Sequence, residues 1–76
     1  MSIILALTPK QMLNILLKAG FKILRQKGSH IRLEHPITKR ATSIPFHVKE
    51  LSRGLIYEIR KQAGLSLKEF LRLLGK

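Results

Sequence analysis

At Gly20 the spacing of apolar residues changes from a helical period of about 3.6 to an alternation of about 2, and after Phe46 it returns to the helical one. Upstream of the switch, Thr8 is placed as an N-cap and Pro9 at the first helical position, where its missing N–H costs nothing. Met12, Leu13, Leu16 and Leu17 follow at helical spacing, and Gly20 is positioned to end the helix in a left-handed conformation. Downstream, Phe21 to Gln26 alternates, with Phe21 and Ile23 pointing one way and Lys22, Leu24 and Gln26 the other. Lys27-Gly28-Ser29 reads as a tight turn. His30 to Glu34 then resumes the alternation, with Ile31 and Leu33 on one face and His30, Arg32 and Glu34 on the other. Two such runs around a Gly-containing turn make a β-hairpin. After a loop over His35–Lys39, Arg40 to Ile44 reads as a third strand ended by Pro45.

Leu55, Ile56, Ile59 and Ala63 mark a second amphipathic helix closed by Gly64, although Gly54 interrupts the pattern near its start. Ser66-Leu67-Lys68-Glu69 matches a capping box, and Leu67, Phe70, Leu71 and Leu74 give a short terminal helix. The order is α-β-β-β-α-α, an α+β fold with a three-stranded antiparallel sheet and helices on one face. Residues 1–76 read as one domain, without repeat or linker. Leu, Ile, Val and Phe make up 27 of 76 residues, well above the roughly 20% below which charged chains tend to stay disordered. The chain has no cysteine, which removes disulfides and thiolate zinc sites. The apolar run Ile3–Leu7 is too short to span a bilayer and lacks a preceding basic region, so a cytoplasmic protein is expected. That run is expected to pack along the sheet or at an interface.

Fifteen Lys and Arg against four Asp and Glu leave a formal net charge of +11. Such an excess favours a polyanionic partner. No stretch is strongly basic along one helical face, so a membrane surface is not expected and RNA or an acidic protein remains. Helices on one side of the sheet leave His30, Arg32 and Glu34 on the wetter side. Lys27 joins them from the turn, and Lys22 and Gln26 face the same way if the strands pair in simple register.

The chain has no phosphate-cradling Gly-rich loop, no G-x-S-x-G and no H-E-x-x-H. Four scattered carboxylates cannot build a two-metal nuclease site, and no cofactor is expected. Histidine is then the natural acid/base. Cleaving RNA requires that the 2′-hydroxyl lose a proton, that the phosphorane be stabilised and that the 5′-oxygen gain a proton. His30, beside Lys27 and the turn amides of Gly28 and Ser29, can supply most of this. One imidazole cannot serve both oxygens at once, so His30 either takes one role or shares the work with a second group, for which Lys27 is a candidate. His35, before Pro36, reads as surface or turn chemistry, and His47 as ordering the strand-to-helix junction. The three histidines lack the helical pairing typical of zinc ligands, and no metal is assigned. Phe21, Phe46, Phe70 and Tyr57 read as core or its rim, leaving no base-stacking platform. A basic module that holds RNA without cutting it is the alternative reading.

Ala19-Gly20-Phe21, Arg25-Gln26-Lys27-Gly28-Ser29-His30, His35-Pro36, Ile44-Pro45-Phe46-His47, Glu50-Leu51, Gly54 and Lys61-Gln62-Ala63-Gly64-Leu65-Ser66 stand in an order and spacing that resemble the HicA (YcfA-like) toxins of prokaryotic toxin–antitoxin pairs. The likeness runs from about Thr8 to Leu74. It implies an mRNA interferase with a fold similar to double-stranded-RNA-binding domains. The family's catalytic histidine lies in G-S-H, which maps onto His30. Its partner is a HicB antitoxin, whose partly RNase H-like domain covers the active face. With mRNA on the open face, Lys22, Lys27, Gly28, Ser29 and Arg32 are the expected RNA contacts. Leu55 stands where the family often has Thr. The K-K-x-A-K phosphate clamp of duplex-binding domains has no counterpart, so the fold likeness does not extend to duplex binding.

Overall fold

Thr8 starts the first helix by a reciprocal cap. In the computed structural model, which describes residues 7–75, its Oγ1 accepts from the Gln11 amide (3.1 Å) while its own amide donates to Gln11 Oε1 (2.9 Å). Helix α1 runs Pro9–Lys18 and buries Pro9, Met12, Ile15 and Leu16. Leu17, expected on the apolar stripe, turns toward solvent, and Ile15 takes that place. Gly20 follows the helix with φ +102°, and a Cβ there would come within 2.8 Å of His35 Nε2. Both the backbone angle and the close imidazole therefore demand glycine.

Strands β1 (Lys22–Lys27), β2 (His30–Glu34) and β3 (Ala41–Pro45) form a three-stranded antiparallel sheet in the order β1-β2-β3. Lys27 pairs with His30, so the hairpin loop is Gly28-Ser29 alone and Lys27 belongs to the strand rather than the turn. Gly28 has φ +60° whereas Ser29 has a negative φ, the pattern of a type II′ turn. Pro45 closes β3 inside the strand, opposite His30, which an edge strand tolerates. In the β2–β3 loop, His35 Nδ1 accepts from the amides of Ile37 (3.1 Å) and Thr38 (3.3 Å), and its ring meets Phe21 edge-on at 5.2 Å. That is the turn chemistry expected of His35.

Helix α2 (Arg53–Ala63) begins at Ser52, whose Oγ accepts from the Leu55 amide. Gly54 falls within the first turn and interrupts nothing. Helix α3 (Leu67–Leu74) begins at Ser66 in the same way. The expected capping box there is one-sided, because the Glu69 carboxylate turns instead to Arg72 at 3.2 Å. Upstream of α2, the Leu51 amide donates to the carbonyl of Leu7 at 2.7 Å, so Leu7 is tied beside the entry to α2. The rest of the apolar N-terminal run lies outside the described residues.

The core sits on one side of the sheet. Ile31 and Leu33 from β2 and Ile44 from β3 meet Met12, Ile15 and Leu16 of α1, Ile56 and Ile59 of α2, and Phe70 of α3. Burying Phe70 completely contributes about 2–3 kcal/mol and fastens α3, which packs on α1. Thr42 is buried among these side chains, and its hydroxyl donates to Gln62 Oε1 at 2.7 Å. The helices cover the β3 side of the layer, and β1 is exposed along its whole length. Phe21 is buried as expected, but Ile23 is half exposed, because among the described residues the helices pack chiefly on β3.

Candidate functional site

The pairing of β1 with β2 slips between Ile23 and Arg25, where Leu24 is bulged out of the ladder. Directly opposed residues of an antiparallel pair share a face. Lys22 opposes Glu34, Arg25 opposes Arg32, and Lys27 opposes His30. These six side chains therefore lie on the face that the helices leave open. The slip corrects the simple register in one respect: Gln26 opposes Ile31 and belongs to the helix side, and Arg25 takes its place on the open face.

Sequence alternation missed Arg25, although it held one hint. Strict alternation sends Arg25 inward with Ile23, where an unpaired guanidinium would be costly to bury. A skipped residue resolves the conflict. The resulting juxtaposition of Arg25 and Arg32 sets like charges opposite one another, which weakens the sheet unless an anion lies across it. Arg32 leans toward β3, donating from Nη1 to Ser43 Oγ at 3.1 Å.

At the hairpin end of this row stands His30, exposed at the first position of β2. Its ring lies 5.4 Å from that of His47, centroid to centroid, with the planes inclined at 51°. His47 reaches this position because the Phe46 amide donates to the Ser29 carbonyl, binding the exit of β3 to the hairpin turn. Ser29 Oγ lies 3.4 Å from His47 Nδ1. His47 thus leans on the hairpin turn and sits beside His30, a placement that spacing along the chain did not reveal. Above Gly28 there is open space: a Cβ built there meets nothing within 4 Å.

Lys22, Lys27, His30 and Arg32 thus share one face, with Gly28 and Ser29 at its end and Arg25 added. His35 lies elsewhere, under Gly20 and against Phe21. Among the described residues, no three His, Cys, Asp or Glu side chains gather as a metal site would require. Tyr57 is half exposed on α2, with the Arg60 guanidinium 5.4 Å and the Lys61 ammonium 5.8 Å from its ring centre. The groove lined by Arg53, Ile56, Tyr57, Arg60 and Leu67 shares no residue with the open sheet face. Among the described residues, no helix is long and apolar enough to cross a membrane.

No curated protein matches the chain. A family model does, described as the HicA toxin of bacterial toxin–antitoxin systems, over residues 9–65. The match takes in α1, the whole sheet with its His30–His47 pair, and α2, leaving α3 outside. The chain belongs to the HicA toxin family, the toxins of bacterial toxin–antitoxin systems.

Proposed function

We propose that this toxin is an endoribonuclease that cuts mRNA, with His30 as an acid/base and without a protein-held metal. The observation that carries this reading is the exposed His30 at the end of a row of cations, beside the Gly28-Ser29 turn with open space above its glycine. The row of Lys22, Arg25, Lys27 and Arg32 suits a single strand of phosphates laid along the open face. His30 exchanges a proton with the 2′-hydroxyl or the 5′-oxygen at the scissile phosphate, while Lys27 and the Gly28 and Ser29 amides stabilise the charge on the phosphorane. Such a substrate places the protein in the cytoplasm.

Membership of the family implies an antitoxin partner. The proposed partner is a HicB-type antitoxin whose acidic surface lies on the open face, competing with RNA for the same cations. A net charge of +11 speeds that association by steering. Co-expression with the neighbouring reading frame checks it, and failure of an adjacent HicB-like product to co-purify speaks against it.

Incubating the purified protein with mRNA in EDTA tests the activity. Wild type cleaves, and His30→Ala loses about 100-fold or more. Equal cleavage by both removes His30 from the chemistry. Intact RNA with salt-dependent binding makes the chain a holding module instead.

A further inference from the structure

We infer that His47 is the second proton-transfer group of the site, working opposite His30. The assignment rests on the endoribonuclease reading above and deepens it. Displacement at an RNA phosphate needs protons moved at two oxygens on opposite sides of phosphorus, and one imidazole cannot attend to both. In the balanced step, one imidazole takes the 2′-hydroxyl proton as the 2′-oxygen bonds to phosphorus. The bond to the 5′-oxygen breaks, and that oxygen leaves with a proton from the other ring, held as imidazolium. The products are a 2′,3′-cyclic phosphate and a 5′-hydroxyl, and no other reactant is needed.

The geometry suits this division of labour. Ring centres 5.4 Å apart put the two imidazoles side by side at the hairpin end of the open face, so a phosphate lying across them is within reach of both. The His47 ring is also held in position. Phe46 and Val48, on either side of it, are both partly buried and pack against the core, so His47 between them projects outward. The Phe46 amide is bonded to the Ser29 carbonyl, and Ser29 Oγ is near His47 Nδ1, which leaves Nε2 for a substrate.

Lys27 is the competing candidate, since it opposes His30 in the last pair of the hairpin. An ammonium ordinarily titrates about four units above an imidazole, so lysine is better suited to stabilising the phosphorane than to exchanging protons near neutrality. The charged groups around the pair are Lys27 from β1 and Arg32 from β2, with Lys49 and Glu50 following His47 in the chain.

The test is single-turnover cleavage of one RNA across the neutral pH range by wild type, His30→Ala, His47→Ala and His47→Asn, with circular dichroism to check folding. Wild type gives a bell-shaped profile. The folded His47 variants lose about 100-fold or more in rate, lose one limb of the bell, and bind uncleaved RNA as wild type does. A His47 that only props the turn gives a slower enzyme with both limbs intact, and that outcome overturns the inference. The parent reading fails differently: wild type then leaves RNA whole, or His30→Ala cuts as well as wild type.

Discussion

The backbone amide of Phe46 donates to the carbonyl of Ser29, so the chain leaving β3 is fastened to the turn that precedes β2. This bond fixes the position from which His47 reaches His30. The Ser29 side chain adds only a long contact of 3.4 Å to His47. Ser29→Ala keeps the backbone bond, so cleavage of RNA falls only about 3- to 10-fold, the worth of one net hydrogen bond. Single-turnover rates measure it. A loss as deep as that of His30→Ala would mean that the hydroxyl itself takes part in the chemistry.

The bulge at Leu24 makes a distinction that can be read from salt dependence. Arg25 lies on the open face and Gln26 on the helix side. Arg25→Ala lowers the slope of log K against log salt for single-stranded RNA by about 0.7, the value for one phosphate contact. Gln26→Ala leaves the slope unchanged. An unchanged slope for Arg25→Ala would mean that β1 pairs in the simple register, with Arg25 turned to the helix side.

Phe70→Ala removes a side chain that is 0% exposed from the contact between α3 and the rest of the core. The cost is about 3–5 kcal/mol, a large share of what a domain of this size has to spare. Urea denaturation followed by circular dichroism reports it as a lower midpoint. If α3 were dispensable, the midpoint would not move.

Gly20→Ala forces a Cβ to within 2.8 Å of His35 Nε2 at a φ of +102°. The expected loss exceeds about 1 kcal/mol, seen in the same denaturation experiment. Displacing His35 also frees the amides of Ile37 and Thr38 that its Nδ1 accepts, so hydrogen exchange in the β2–β3 loop should quicken. Unchanged exchange there would separate Gly20 from that loop.

What was legible in the sequence was local. Thr8-Pro9, Gly20 and Gly64 bracket helices because caps and left-handed residues act within a turn of themselves. His30 and Arg32 face outward because alternation along a short, regular strand is reliable. The misplacements came from contacts that no local spacing encodes. Ile23, pointing with Phe21, stays half exposed because among the described residues the helices pack chiefly on β3, and Gln26 changed sides because one residue was skipped upstream. His47 joined His30 through a backbone bond between segments far apart in the chain. The candidate site was thus half legible: its strand residues could be placed from the sequence, and the residue arriving from the loop could not.

The bulge in β1 has a second consequence, for how copies of the chain meet. An edge strand offers unpaired amides and carbonyls to any neighbour able to dock alongside, and β1 also shows Ile23 and Leu24 to solvent. A skipped residue breaks the regular spacing of that edge, and Lys22, Arg25 and Lys27 line it with repelling charge. The strand that gathers cations for an anionic guest is thereby a poor template for polymerisation, and the open sheet can stay exposed without the chains adding edge to edge.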